Sequence, residues 1–204
     1  MKNRLIGIYN GSEILTLLGL CFAVFGIFST MNGNALYGVY CLMLAGMCDG
    51  LDGVVARRIK RDRDARFYGV ELDSLVDVVS FGALPVVIGW SLSGGETVDI
   101  LILMFFICCG VIRLAFFNTL TLSQGEAVKP EHFAGLPITT IAIILPLFYY
   151  FFEVVYSIDG LRYVFLVTGC MYITNFKIKK PGIAARIVLC IAGVAVIIWG
   201  FSVR

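Results

Sequence analysis

Asp49-Gly50-Leu51-Asp52-Gly53-Val54-Val55-Ala56-Arg57 closes one long apolar stretch, and Gly69-Val70-Glu71-Leu72-Asp73-Ser74-Leu75-Val76-Asp77 opens the next. The segment from Arg57 to Arg66 between them carries six cations. At about 100° per residue, Asp49, Asp52, Gly53 and Ala56 share an arc of about 100° on one helix, and Gly69, Asp73, Asp77 and Ser80 share about 80° on the next. Two antiparallel helices joined by a short basic loop bring these faces together at one membrane edge. Acids in or beside hydrocarbon are costly, so four in one place mark a functional site.

The rest of the chain supplies the membrane. Its 204 residues are 59% hydrophobic and only 15% charged, with a mean hydropathy of +0.92, which excludes an ordinary soluble domain. Seven apolar segments approach the roughly 17 to 25 residues that cross a bilayer. They are Ile14 to Thr30, Ala35 to Ala56, Gly69 to Ser91, Val98 to Leu120, Phe133 to Tyr156, a shorter one at Leu161 to Phe176, and Ile183 to Phe201. Turn chemistry separates them at Asn32-Gly33-Asn34, Ser93-Gly94-Gly95, Asp159-Gly160 and Pro181-Gly182. The expectation is one membrane-embedded all-α domain over residues 1–204, its motif helices at 35–57 and 69–91, with an extra C-terminal helix at 183–201.

Alternating the segments puts Lys2, Arg4, the Arg57 to Arg66 run, Lys129, Lys177, Lys179 and Lys180 on one side. The opposite connections, near Glu96 and Asp99 and near Glu153 and Asp159, are acidic. By the positive-inside rule the basic side, and the acid cluster with it, faces the cytoplasm. Lys2 and Arg4 ahead of the first apolar stretch suggest a secretory signal, but no small-residue cleavage site follows, so the segment reads as mature structure. The seven cysteines lie inside apolar runs without a CxxC spacing and read as small core hydrophobes.

Four converging carboxylates repel unless divalent cations neutralise them. A donor set of four carboxylates with no histidine suits Mg²⁺ or Mn²⁺ and argues against zinc. Gly53, Ala56 and Gly69 keep the acid faces free of bulk, and Arg57 at the rim offers a forked donor for phosphate. Together they describe a site for a diphosphate whose other end is a lipid. Two other readings compete: a solvated helix end salt-bridged to the arginines, and a cation or proton transporter. The first leaves the shared glycine and alanine unexplained. The second expects acids near the midplane, often at broken helices, not at one edge.

The two quoted stretches resemble the signature of the CDP-alcohol phosphatidyltransferases, D-x2-D-G-x2-A-R-x(n)-G-x3-D-x3-D, at all eight fixed positions. The spacer, Arg58 to Tyr68, is longer than is usual for that family. The resemblance implies a six-helix membrane core, commonly a homodimer, that displaces CMP from a CDP-linked lipid by an alcohol. It makes the seventh segment a C-terminal addition. It also implies that Asp49, Asp52, Asp73 and Asp77 are metal residues for two ions, that Asp77 is in addition the base, and that Gly53, Ala56, Arg57 and Gly69 hold the CDP moiety.

Within that family, Asp73 to Gly82 with Pro85, Arg113-Leu114-Ala115-Phe116-Phe117-Asn118, and Gly135-Leu136-Pro137 are similar to the membrane-type phosphatidylserine synthases. A weaker similarity covers Met171 to Lys180. The substrates implied are CDP-diacylglycerol or a related CDP-lipid and L-serine, among membrane lipids and with no nucleic acid. Inositol phosphate or glycerol 3-phosphate is the alternative acceptor. Arg113 within an apolar span demands an anionic partner, which a serine carboxylate, a lipid phosphate or one of the aspartates would supply, unless its side chain snorkels to the cytoplasmic edge. Ser80, Arg113 and Asn118 are therefore the expected acceptor-binding residues. Lys129 and His132 read as solvated loop residues.

Overall fold

The computed structural model describes residues 7–56, 63–124, 132–155, 160–179 and 193. Helix α1, Gly11–Met31, starts at Asn10 in a capping box: Glu13 Oε2 accepts the Asn10 backbone N–H at 3.0 Å. It stops at Asn32-Gly33, where Gly33 takes φ +86°, a left-handed value that a side chain would resist, and the chain reverses into α2, Ala35–Ala56. α1 and α2 pack along one another. Small residues set their distance: a Cβ on Gly26 would lie 2.7 Å from that of Cys41, so the two backbones approach as only small side chains permit.

The third crossing is not one uniform α-helix. It runs as α3, Arg63–Asp77, then a π-helical turn, Val78–Ala83, then α4, Leu84–Leu92. Pro85 lacks the N–H that would bond Phe81, which loosens the ladder, and the Leu84 N–H reaches back five residues to the Val79 carbonyl. α3 also begins earlier than Gly69, because the polar turn Arg63 to Tyr68 is helical too. The crossing ends at Ser93, and Gly95, at φ +77°, turns the chain into α5, Thr97–Gln124.

The expected fifth span from Phe133 to Tyr156 needs correction. Strand β1, His132–Ala134, pairs antiparallel with β2, Lys177–Lys179, and a 3-10 turn, Ile138–Thr140, precedes α6, Ile141–Val155. Gly135 at φ +73° and Pro137 break any helix there. The backbone bonds instead to the end of α7, Leu161–Ile173: Leu136 N–H to Met171 O at 3.1 Å and Gly135 N–H to Phe176 O at 2.8 Å. α7 accordingly ends three residues short of Phe176. The expected all-α class thus holds for the membrane part, with a small two-stranded ribbon added to it.

Among the described residues, four helical stretches are long and apolar enough to cross a membrane: Gly11–Met31, Ala35–Ala56, Arg63–Leu92 and Thr97–Leu120. Ile138–Phe151 and Leu161–Ile173 are shorter apolar helices. The seventh segment, 183–201, lies outside the described residues except for Gly193, as do Lys2, Arg4, Asp159, Lys180, Pro181 and Gly182. Phe81, Leu84, Ile88, Phe106, Ile138, Ile141, Leu145 and Phe165 fill the centre, with Phe106 edge-on to Phe165 at 5.1 Å. Phe25, Phe28, Leu75, Ile112 and Leu147 point outward, as lipid-facing residues should. The described cysteines are free thiols. At the end away from the aspartates, Arg162 of α7 pairs with Glu96 at 2.9 Å and with buried Asp99 at 3.3 Å.

Candidate active site

The last two turns of α2 and the middle of α3 converge as their periodicity requires. One carboxylate oxygen each from Asp49, Asp52 and Asp73 lies within 4.8 Å of the others. Asp52 is buried, Asp49 and Asp73 half-buried. Asp77 follows Asp73 by one turn, so it sits deeper in the span; it is buried, lies outside that tight trio, and is within electrostatic range of all three members. Three hard oxygen donors brought within 4.8 Å from two helices fit Mg²⁺ or Mn²⁺, and their mutual repulsion favours whatever cation neutralises them.

Arg113 on α5 provides the opposing charge. It is the buried cation among the described residues and lies within electrostatic range of Asp77 and Tyr172. Its guanidinium carbon sits 4.6 Å from the centre of the Phe117 ring, a cation–π contact that holds the fork. The Arg113 Nε is buried and has no hydrogen-bond partner among the described residues. The same is true of the hydroxyl of Ser80, in the π-helical turn just after Asp77. Unsatisfied buried donors on the borders of a charged cluster are what a polar ligand would complete.

Asn118 is placed differently from the expectation of an acceptor contact alone. Its amide engages Ser74, giving a 3.0 Å bond from Nδ2 and taking a 3.1 Å bond at Oδ1. Gly53, Ala56 and Gly69 are half-buried on the helices that carry the acids. Arg57 and Lys129 lie outside the described residues, and His132 falls in β1.

Two residues were missed from sequence. Thr16 of α1 places its hydroxyl 2.7 Å from Asp52 Oδ2. Tyr172 of α7 is buried against Phe106, donates to the Ile138 carbonyl at 3.0 Å and is an electrostatic neighbour of Arg113 and Asp77. A threonine or tyrosine in an apolar run carries no pattern of its own, so neither stood out.

The model of a protein family described as CDP-alcohol phosphatidyltransferase matches residues 9–198, which takes in every helix from α1 to α7 and all eight signature positions. The chain belongs to that family. Among the relatives of this chain, a CDP-diacylglycerol–serine O-phosphatidyltransferase of Saccharomyces cerevisiae is 36% identical over 176 residues, covering 74% of this chain and 62% of that protein. An archaetidylserine synthase of Methanothermobacter thermautotrophicus is 33% identical over 138 residues, 67% of this chain and 56% of that one. A CDP-diacylglycerol–serine O-phosphatidyltransferase of Helicobacter pylori is 28% identical over 142 residues, 69% and 57% respectively. The chain therefore spans less than two thirds of the length of these relatives.

Proposed function

We propose that this protein transfers the phosphatidyl group of CDP-diacylglycerol, or of a related CDP-lipid, to L-serine, giving phosphatidylserine and CMP. The observation that carries the reading is the convergence of Asp49, Asp52 and Asp73 within 4.8 Å, with Asp77 and Arg113 behind them. The serine-specific names of its relatives support the choice of acceptor. Membership of the family leaves the transporter reading without support.

Asp49, Asp52 and Asp73 would hold two Mg²⁺ or Mn²⁺ ions, with Asp77 alongside. Bound there, such ions would neutralise the pyrophosphate and the charge growing on departing CMP. Gly53, Ala56 and Gly69 leave room for the nucleotide, and Arg57 would grip its phosphate through a forked pair of donors. Arg113, helped by Ser80 and Asn118, would hold the serine carboxylate and aim the hydroxyl at the β-phosphorus. The serine oxygen forms its bond to that phosphorus, the bond from phosphorus to the CMP oxygen breaks, and CMP leaves with the electron pair. Asp77 accepts the serine proton. A carboxylate is a weak base toward an alcohol, so the proton moves late, once bonding to phosphorus has acidified it. Positioning and charge neutralisation do most of the work.

Excess cations beside the site support a cytoplasmic active-site face, and the family supports a single membrane-embedded domain working as a homodimer. An acceptor screen tests the assignment: purified protein is given one CDP-lipid with serine, inositol phosphate or glycerol 3-phosphate, and CMP release is measured. Serine should stimulate release. Stimulation by a phosphorylated acceptor alone would overturn the serine assignment and leave the family intact.

A further inference from the structure

Helix α1 buries three polar side chains within its first two turns: Ser12, Glu13 and Thr16. The capping box accounts for Glu13, whose Oε2 also accepts the Ser12 hydroxyl at 3.2 Å. Thr16 is not part of that cap. Its hydroxyl carries one proton and has two acceptors in reach, the Ser12 carbonyl at 3.0 Å and Asp52 Oδ2 at 2.7 Å. The carbonyl already receives the backbone N–H four residues on, as helix geometry dictates, while the carboxylate bond is shorter and charge-assisted. The proton therefore goes to Asp52.

Thr30, on the same helix, shows what a threonine does there without a function: its hydroxyl simply bonds back to the Gly26 carbonyl at 2.8 Å. Thr16 differs in reaching across to another helix and to one of the three converging carboxylates. Holding one oxygen of Asp52 fixes the rotation of the carboxyl group and so the place from which it faces Asp49 and Asp73. We infer that Thr16 is a positioning residue that orients the Asp52 carboxylate, and that α1 thereby sets the affinity of the aspartate trio for a divalent cation. The inference rests on the reading of Asp49, Asp52 and Asp73 as metal ligands.

The test is Mn²⁺ binding to the purified full chain with CDP present, read from the loss of the free-ion electron paramagnetic resonance signal, together with the thermal midpoint with and without metal. Wild type should bind Mn²⁺ and Asp52→Asn should not. Thr16→Val should bind about tenfold or more weakly, the usual effect of removing an outer partner of a metal ligand, and gain less in midpoint on metal addition. Thr16→Ser should restore binding, and Thr30→Val, which loses only a bond to its own helix, should bind like wild type. Metal-free midpoints should stay close together. Thr16→Cys, of similar size and a weak donor, reads the same shift should the valine fail to fold. Wild-type affinity in Thr16→Val overturns the inference alone. Absence of Mn²⁺ binding by wild type overturns it together with the metal-site reading.

Discussion

Ser74 of α3 and Asn118 of α5 exchange hydrogen bonds of 3.0 and 3.1 Å, one residue beyond Asp73. The pair ties the acid-bearing helix to the one that carries Arg113. Ser74→Ala and Asn118→Ala should each cost about 1 kcal/mol of stability, and the double variant no more than either single one. Thermal midpoints in detergent provide the cycle. If Asn118 also meets the acceptor, its substitution alone will raise KM for serine, while Ser74→Ala will leave that value near wild type.

Arg113 should act on the acceptor, not on the CDP-lipid. Replacing it by methionine removes a charged hydrogen-bonding partner, for which about ten- to hundredfold in KM for serine is expected. Lysine should recover only part of this, because an ammonium lacks the planar fork. Initial rates with each substrate varied in turn separate the cases. A rise in KM for the CDP-lipid instead would assign Arg113 to phosphate.

Asp77→Asn keeps the shape of the side chain and removes its capacity to accept a proton. The loss in kcat should be about 10² to 10⁴, the range for a general base. Mn²⁺ binding should persist, since the tight trio of Asp49, Asp52 and Asp73 is untouched. Loss of binding along with activity would make Asp77 chiefly a ligand.

Arg162 makes a control at the far end of the bundle. Its removal leaves buried Asp99 without this ion-pair partner, for which about 3 kcal/mol of destabilisation is expected. The thermal midpoint should fall, while kcat below the transition should not change, because the pair sits away from the aspartates.

Legibility from sequence followed the physics of each element. The start of α2 at Ala35 came out to the residue because turn residues precede an apolar run there, and the turns at Gly33 and Gly95 because left-handed backbone favours glycine. Convergence of Asp49, Asp52 and Asp73 followed from helical periodicity and one short loop. The π-helical turn at Val78–Ala83 was hidden, since Pro85 reads equally well as an ordinary kink in a membrane helix. The start of α6 was misplaced because Phe133 to Pro137 is apolar enough to pass for helix, and its true partners at Met171 and Phe176 are distant in sequence. Thr16 and Tyr172 depend on packing between helices, which hydropathy does not encode.

Serine-dependent CMP release by protein stripped of metal with EDTA and then titrated with Mg²⁺ or Mn²⁺ tests the aspartate faces as the reaction centre. Release should vanish on stripping, return with either ion, and fail to return in Asp52→Asn or Asp73→Asn variants that remain folded. Full release without any divalent ion, or undiminished release in those variants, would contradict the aspartate faces as the reaction centre.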